Sequence, residues 1–182
     1  MALIRWIIDN ERYDAKFLAQ PGPAAMAAAG EASWSNATHL LINDPQHPRH
    51  GQFLRGADIG LPMPEPVDEK TPAEDVYVVQ LADGSLAPHT SAQPAEIFVE
   101  RSFTLPRAPE AAQDPAPVAV CSALVMLRTE ARRKTIQEYS DICGVPVAEI
   151  EDLAREFTSH GKRAVANSHG GTMSGAGFYT AY

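Results

Sequence analysis

Close to the C-terminal end the chain reads NSHGGTMSGAGFYTAY over Asn167–Tyr182, with four glycines, Gly170, Gly171, Gly175 and Gly177, inside eight residues. Glycines between a strand and a helix leave backbone N–H groups open, and such groups at a helix start attract phosphate and other anions. The specific forms of that chemistry fail on single residues. GGTMSG (Gly170–Gly175) fits G-x-x-x-x-G, but Ala176 and Gly177 stand where a P-loop places Lys and Ser or Thr. Without the lysine, the β- and γ-phosphates lose their counter-charge. GAGFYT begins a G-x-G-x-x-G and puts Thr180 where the third glycine belongs. These departures disfavour a kinase and a Rossmann dehydrogenase. What remains is a donor-rich loop, with Asn167, Ser168, His169, Thr172 and Ser174 beside the free backbone. The alternative is that the glycines only allow backbone segments to pack closely.

No other residues complete a catalytic constellation. His169 has the chemistry of a ligand, a proton donor or a hydrogen-bonded core histidine. His39, His47, His50, His89 and His160 are scattered or sit in polar loops, so no metal triad is predicted. Cys121 and Cys143 stand 22 positions apart without a further ligand at metal spacing, which leaves no zinc or iron–sulfur site and reads as two core-filling thiols. No serine lies in G-x-S-x-G. Glu149, Glu151 and Asp152 read as charges at the start of a helix rather than as an acid/base pair.

The chain has 182 residues, room for one ordinary domain, and a formal charge of −8. That charge disfavours a nucleic-acid partner, which needs a basic patch to displace counterions. The densest basic run, ARRK at Ala131–Lys134, reads as a solvated helix face. No apolar run is long enough to span a membrane. Asn36-Ala37-Thr38 fits a glycosylation sequon, but no secretory signal accompanies it, since Arg5 interrupts the first apolar stretch.

The elements that must position the loop follow from periodicity. MALIRWIIDNERYD predicts an amphipathic helix with Leu3, Ile4, Ile7 and Ile8 on one stripe and no capping residue before it. His39–Asn43 predicts a short strand, closed by DPQHPRHG. Pro62–Pro72 predicts an exposed connection. DVYVVQL-ADG-SLAPHT predicts a β-hairpin turning at Asp83-Gly84, and Ala95–Leu105 a further strand. PRAPEAAQDPAP is a second proline-rich linker. Then an apolar run leads into a helix carrying Ile136, Tyr139, Ile142 and Cys143 on one face and stopping at Gly144. A second helix follows, with Pro146 in its first turn, a buried stripe of Val147, Ile150, Leu153, Ala154 and Phe157, a Glu151–Arg155 pair, and Gly161 as its stop. KRAVAN reads as a strand that delivers the chain into the glycine loop. The expected class is α/β, a partial layered αβα cofactor-binding domain with an inserted β-hairpin and proline-rich connections. Its expected segments are 1–61 (helix and short strand), 62–117 (hairpin insertion with linkers) and 118–182 (helix, helix, strand, glycine loop).

Two stretches carry a family resemblance. The run from YSDICGVPVAEIEDLAREFTSHGKRA to the final tyrosine resembles the C-G-[IV]-P…LAREF…GKRA segment of molybdopterin oxidoreductases of the DMSO-reductase superfamily. RWIIDNERYDAKFL resembles the helix that follows the G-T-D motif of those enzymes, and ASWSNATHL and SHGGTMSGAGFYTAY are most similar to the catalytic subunits of the tetrathionate reductase type. The resemblance implies a protein that reduces tetrathionate, or thiosulfate, polysulfide or arsenate, at molybdenum held by two molybdopterin guanine dinucleotides. It also implies an iron–sulfur cluster in the parent, electron-transfer and membrane-anchor partner subunits, and a periplasmic location. By position, His169, Gly170, Gly171, Thr172, Ser174 and Gly175 match the loop that reaches the funnel near metal and pterin, and so are the expected cofactor-binding residues. The cysteine cluster, the molybdenum ligand, the G-T-D motif and the C-terminal pterin-binding domain have no counterpart here. The expectation is therefore an internal fragment, inactive alone, that depends on the rest of its catalytic subunit. The rival expectation is a self-standing, non-enzymatic α/β domain for interaction or small-ligand binding.

Overall fold

The computed structural model describes residues 1–62, 74–106 and 115–166. Its longest strand, β5 (Pro115–Ser122), lies between β1 (Leu40–Ile42) and β4 (Glu100–Pro106) in an antiparallel three-stranded sheet. Leu41 faces Cys121, and Arg101 faces Val120. Val118 and Val120 of β5 join Leu40, Ile42, Leu54, Val78, Val99 and Leu105 in one buried cluster, and this cluster is why the short apolar runs become strands. Pro117 is tolerated inside β5 because residues of its parity bond toward β1, which ends before reaching it.

The predicted hairpin is present as β2 (Val78–Gln80) and β3 (Leu86–Pro88), paired antiparallel. Gly84 takes a φ of 83°, and Asp83 accepts hydrogen bonds from the backbone N–H and hydroxyl of Ser85 at 2.9 and 2.6 Å. The strand expected over Ala95–Leu105 starts only at Glu100; Ala95 makes a single bridge to Leu81. Chain contacts divide the molecule into two units, Asp14–Thr135 and Met1–Tyr13 with the residues from Ile136 onward. The first also holds the helices α2 (Ala15–Leu18), α3 (Pro23–Ala29) and α4 (Ala123–Ala131).

The second unit contains α1 (Ala2–Asp9), α5 (Ile136–Cys143) and α6 (Val147–Ser159). α1 has no side-chain cap at its start, as its sequence predicts. Gly144 ends α5 at φ 72°, and Gly161 follows α6 at φ 54°. Four expectations need correction. Of the predicted α6 stripe, Ile150 and Ala154 are buried, but Leu153 is 57% exposed, because the described neighbours α1 and α5 cover only one side of the helix. On α5, Ile142 and Cys143 are likewise exposed, so Cys143 is not a core thiol. Arg155 pairs with Asp152 rather than Glu151 and lies over the Trp6 ring at 5.8 Å. After α6 the segment KRAVAN forms a 3-10 turn (Gly161–Arg163) and then unpaired chain through Ala166, since no described strand borders it. The layered description is thus realised, among the described residues, as a mixed α/β chain whose strands pair only antiparallel.

Candidate functional site: an aromatic and imidazole cleft

The predicted loop residues His169, Gly170, Gly171, Thr172, Ser174 and Gly175 lie outside the described residues. Within the unit spanning Asp14–Thr135, a different set of side chains converges. Asp14 accepts the Phe17 N–H at 3.0 Å and so starts α2, which presents Phe17. After α3 the chain turns tightly: Ser35 donates its N–H to Gln20 O, Ser35 Oγ accepts from Ala37 N, and His39 N–H donates to Asn36 O. That turn places Trp34 and Asn36 beside His39, which leads directly into β1. Leu41 bridges to Phe53, and Arg55 bridges to Tyr77 at the start of β2. The result is a cleft of about 490 Å³ lined by Phe17, Trp34, Ser35, Asn36, His39, Phe53 and Tyr77.

His39 is the hub of this cluster. It is only 2% exposed, stacks on Tyr77 at 5.2 Å, and meets Phe53 and His89 edge-on at 5.6 and 5.3 Å. Its Nε2 lies 2.9 Å from Pro21 O; a carbonyl only accepts, so the proton sits on Nε2 and Nδ1 keeps its lone pair. His89 shows the same logic in reverse, because its Nδ1 accepts the Tyr77 N–H at 3.2 Å. Burial pushes the pKa of His39 down, and the charge of a protonated His89 would push it further. Burial and then the Arg55 guanidinium hold His89 below the usual histidine value as well. Arg55 stands 4.2 Å over the Tyr77 ring. It is positioned by a 3-10 turn (Gly56–Ile59) in which Asp58 takes a bidentate pair from Arg49 at 2.6 and 3.0 Å and also accepts Arg55 N–H at 2.8 Å. Gly22 completes the packing, since a Cβ there would stand 2.5 Å from the His89 carbonyl oxygen.

The chemistry available is binding. Neutral imidazoles, aromatic walls, a hydroxyl and a carboxamide can hold planar or apolar groups and make neutral hydrogen bonds. No nucleophile with an adjacent base is among the lining residues. Among the described residues no group of three or more His, Cys, Asp or Glu side chains could hold a metal ion. Burial raises the Cys121 thiol to about 11, which keeps it protonated, and Cys143 stands alone on α5. Sequence reasoning gives no link between His39 and His89; the structure joins them. The signal lies in the hairpin register. With Val78 opposite Pro88, the next pair outward is Tyr77 and His89, and His89 N–H does donate to Tyr77 O at 2.8 Å.

The chain aligns along its length with curated reductase subunits. It is 43% identical over 182 residues to the tetrathionate reductase A subunit of Salmonella typhimurium, covering all of this chain and 16% of that protein. It is 32% identical over 180 residues to the tetrathionate reductase A subunit of Archaeoglobus fulgidus, covering 99% of this chain and 14% of the relative. The selenate reductase A subunit of Mesobacillus selenatarsenatis is 31% identical over 175 residues, covering 95% of this chain and 15% of that protein. No family model and no solved structure matches. The chain is a homologue of one segment of the tetrathionate and selenate reductase A subunits, which bears out the molybdopterin-oxidoreductase resemblance carried by its sequence.

Proposed function

We propose that the chain supplies a structural segment of a molybdenum-dependent reductase catalytic subunit, one that reduces a sulfur oxyanion such as tetrathionate. The observation that supports this reading is the 43% identity to the Salmonella protein across every residue of the chain. Thiosulfate, polysulfide and arsenate are the neighbouring substrate choices. The chain spans only about 15% of its relatives' length. In our reading the activity belongs to the larger assembly, and residues 1–182 are inactive alone.

The cofactor of that assembly is molybdenum with molybdopterin guanine dinucleotide, which supplies the oxygen-atom and electron chemistry. The described residues do not fit it as ligands, since they offer no metal-ligand cluster and burial keeps the Cys121 thiol protonated. No catalytic step is therefore assigned to them. The family resemblance, by position, gives cofactor contact to the loop of His169, Gly170, Gly171, Thr172, Ser174 and Gly175, whose residue types offer backbone and hydroxyl donors for an anionic substrate or a pterin phosphate. Iron–sulfur and membrane-anchor subunits are the expected partners, in the periplasm. The test is the DNA on both sides of this reading frame, together with an assay of the purified chain. Cysteine motifs encoded upstream, a pterin-binding region downstream, and no viologen-linked tetrathionate reduction by the chain alone are expected. Turnover by residues 1–182 alone, or flanks unrelated to reductases, would overturn the reading.

A further inference from the structure

The β2–β3 hairpin ends in a rung that is only half backbone. Residues at alternate positions of an antiparallel ladder exchange two backbone hydrogen bonds. Val78 faces Pro88, and its N–H turns out of the hairpin to Leu54 O, so the next pair outward, Tyr77 and His89, is of the exchanging kind. One bond of that exchange is present, since His89 N–H donates to Tyr77 O at 2.8 Å. The other goes elsewhere: Tyr77 N–H donates to His89 Nδ1 at 3.2 Å. The His89 carbonyl lies instead against Gly22, where a Cβ would stand 2.5 Å from its oxygen. An imidazole thus takes the place of a backbone carbonyl, and this acceptor, unlike a carbonyl, can be protonated near neutral pH.

Tyr77 is what the rung holds. Its ring stacks on His39 at 5.2 Å, meets Phe53 edge-on at 5.1 Å, and so forms one wall of the cleft. A proton on His89 Nδ1 sets a donor against the Tyr77 N–H and leaves that N–H without its acceptor. The groups facing the ring do not compensate. Arg55, 4.2 Å over the Tyr77 ring, repels a charged His89, and so does any charge on His39, 5.3 Å away. Asp75 turns its carboxylate to the Ala57 N–H, and Gly22 presents only backbone. Burial is the largest influence on His89 and keeps it neutral, while the Tyr77 backbone pulls the other way. We propose that His89 is an acid-released latch: neutral, it locks Tyr77 into the cleft wall; protonated, it frees the Tyr77–His89 end of the hairpin. Every bond involved lies inside the Asp14–Thr135 unit, so the inference rests on no open surface and goes beyond the reductase reading.

The test follows backbone amide hydrogen exchange in the full chain by NMR, corrected for the intrinsic pH dependence of exchange. Val79 faces Ala87 one rung further in and serves as the internal control. Between about pH 7.5 and about pH 5, protection of the Tyr77 amide is expected to fall about tenfold or more further than that of Val79. His89→Asn keeps an acceptor oxygen near the Nδ1 position and takes up no proton in this range, so its Tyr77 amide is expected to stay protected at both ends. His89→Phe has no acceptor and is expected to leave Tyr77 unprotected at both. Wild-type Tyr77 protection that tracks Val79 across the range would overturn the proposal. So would an acid release that persists in His89→Asn, an outcome that would pass the effect to His39 or to the unit as a whole.

Discussion

His39 decides much of the local electrostatics in the unit that holds the cleft. Both His39 and His89 have folded-state pKa values below the ordinary histidine value, so the folded state prefers them neutral. The unfolded chain takes up protons first as pH falls. Stability contributed by these rings is present above their unfolded pKa, about 6.5, and is lost as pH drops through that value toward the folded ones. The melting temperature is therefore expected to fall between about pH 7 and about pH 5, and to fall less in His89→Gln. A melt that is flat or rises over that range would contradict the assignment. Gly22 gives a second test. An added Cβ would stand 2.5 Å from the His89 carbonyl oxygen, so Gly22→Ala is expected to cost roughly 1–3 kcal/mol in urea denaturation. At this scale the sequence was least legible, because side chains from separate stretches meet only once the hairpin and β1 are placed. The donor-rich loop at His169–Gly175 was legible as a motif, yet its role stays a proposal.

Helix stops and the hairpin turn were readable in advance because each depends on one residue. Gly144 and Gly84 hold φ of 72° and 83°, where an added Cβ is strained whatever the space around it. Gly144→Ala is expected to destabilise the α1–α5–α6 unit by about 1 kcal/mol, measured by Trp6 fluorescence in urea, with no change at Trp34. Side-chain faces were less readable. Periodicity correctly put Ile150 and Ala154 inside, but it also assigned Leu153 to the stripe and Cys143 to the core. A helix with few described neighbours buries less than its apolar pattern allows. The described part of KRAVAN, Lys162–Ala166, forms no strand for a related reason: β propensity without a described strand to pair with does not make a ladder.

Across the whole molecule, the two compact units differ in how much they bury. The Asp14–Thr135 unit owns both apolar clusters formed by the described residues, whereas the described part of the other buries chiefly Ile8, Ile150 and Ala154. Trp34 and Trp6 report on them separately. The Trp6 transition in urea is expected at lower concentration than the Trp34 transition, observed in Trp34→Phe and Trp6→Phe variants respectively, and coincident transitions would argue for one cooperative body. Composition and charge bounded the class at this scale, and quoted motifs carried the family, because LAREF and the glycine loop are more specific than any propensity. The most direct measurement replaces the homologous segment of the Salmonella tetrathionate reductase A subunit with residues 1–182 and assays molybdenum content and tetrathionate reduction. The account predicts a chimera that loads molybdenum and turns over tetrathionate. A chimera that accumulates as stable, soluble protein but binds no molybdenum, or binds it and leaves tetrathionate unreduced, would contradict it.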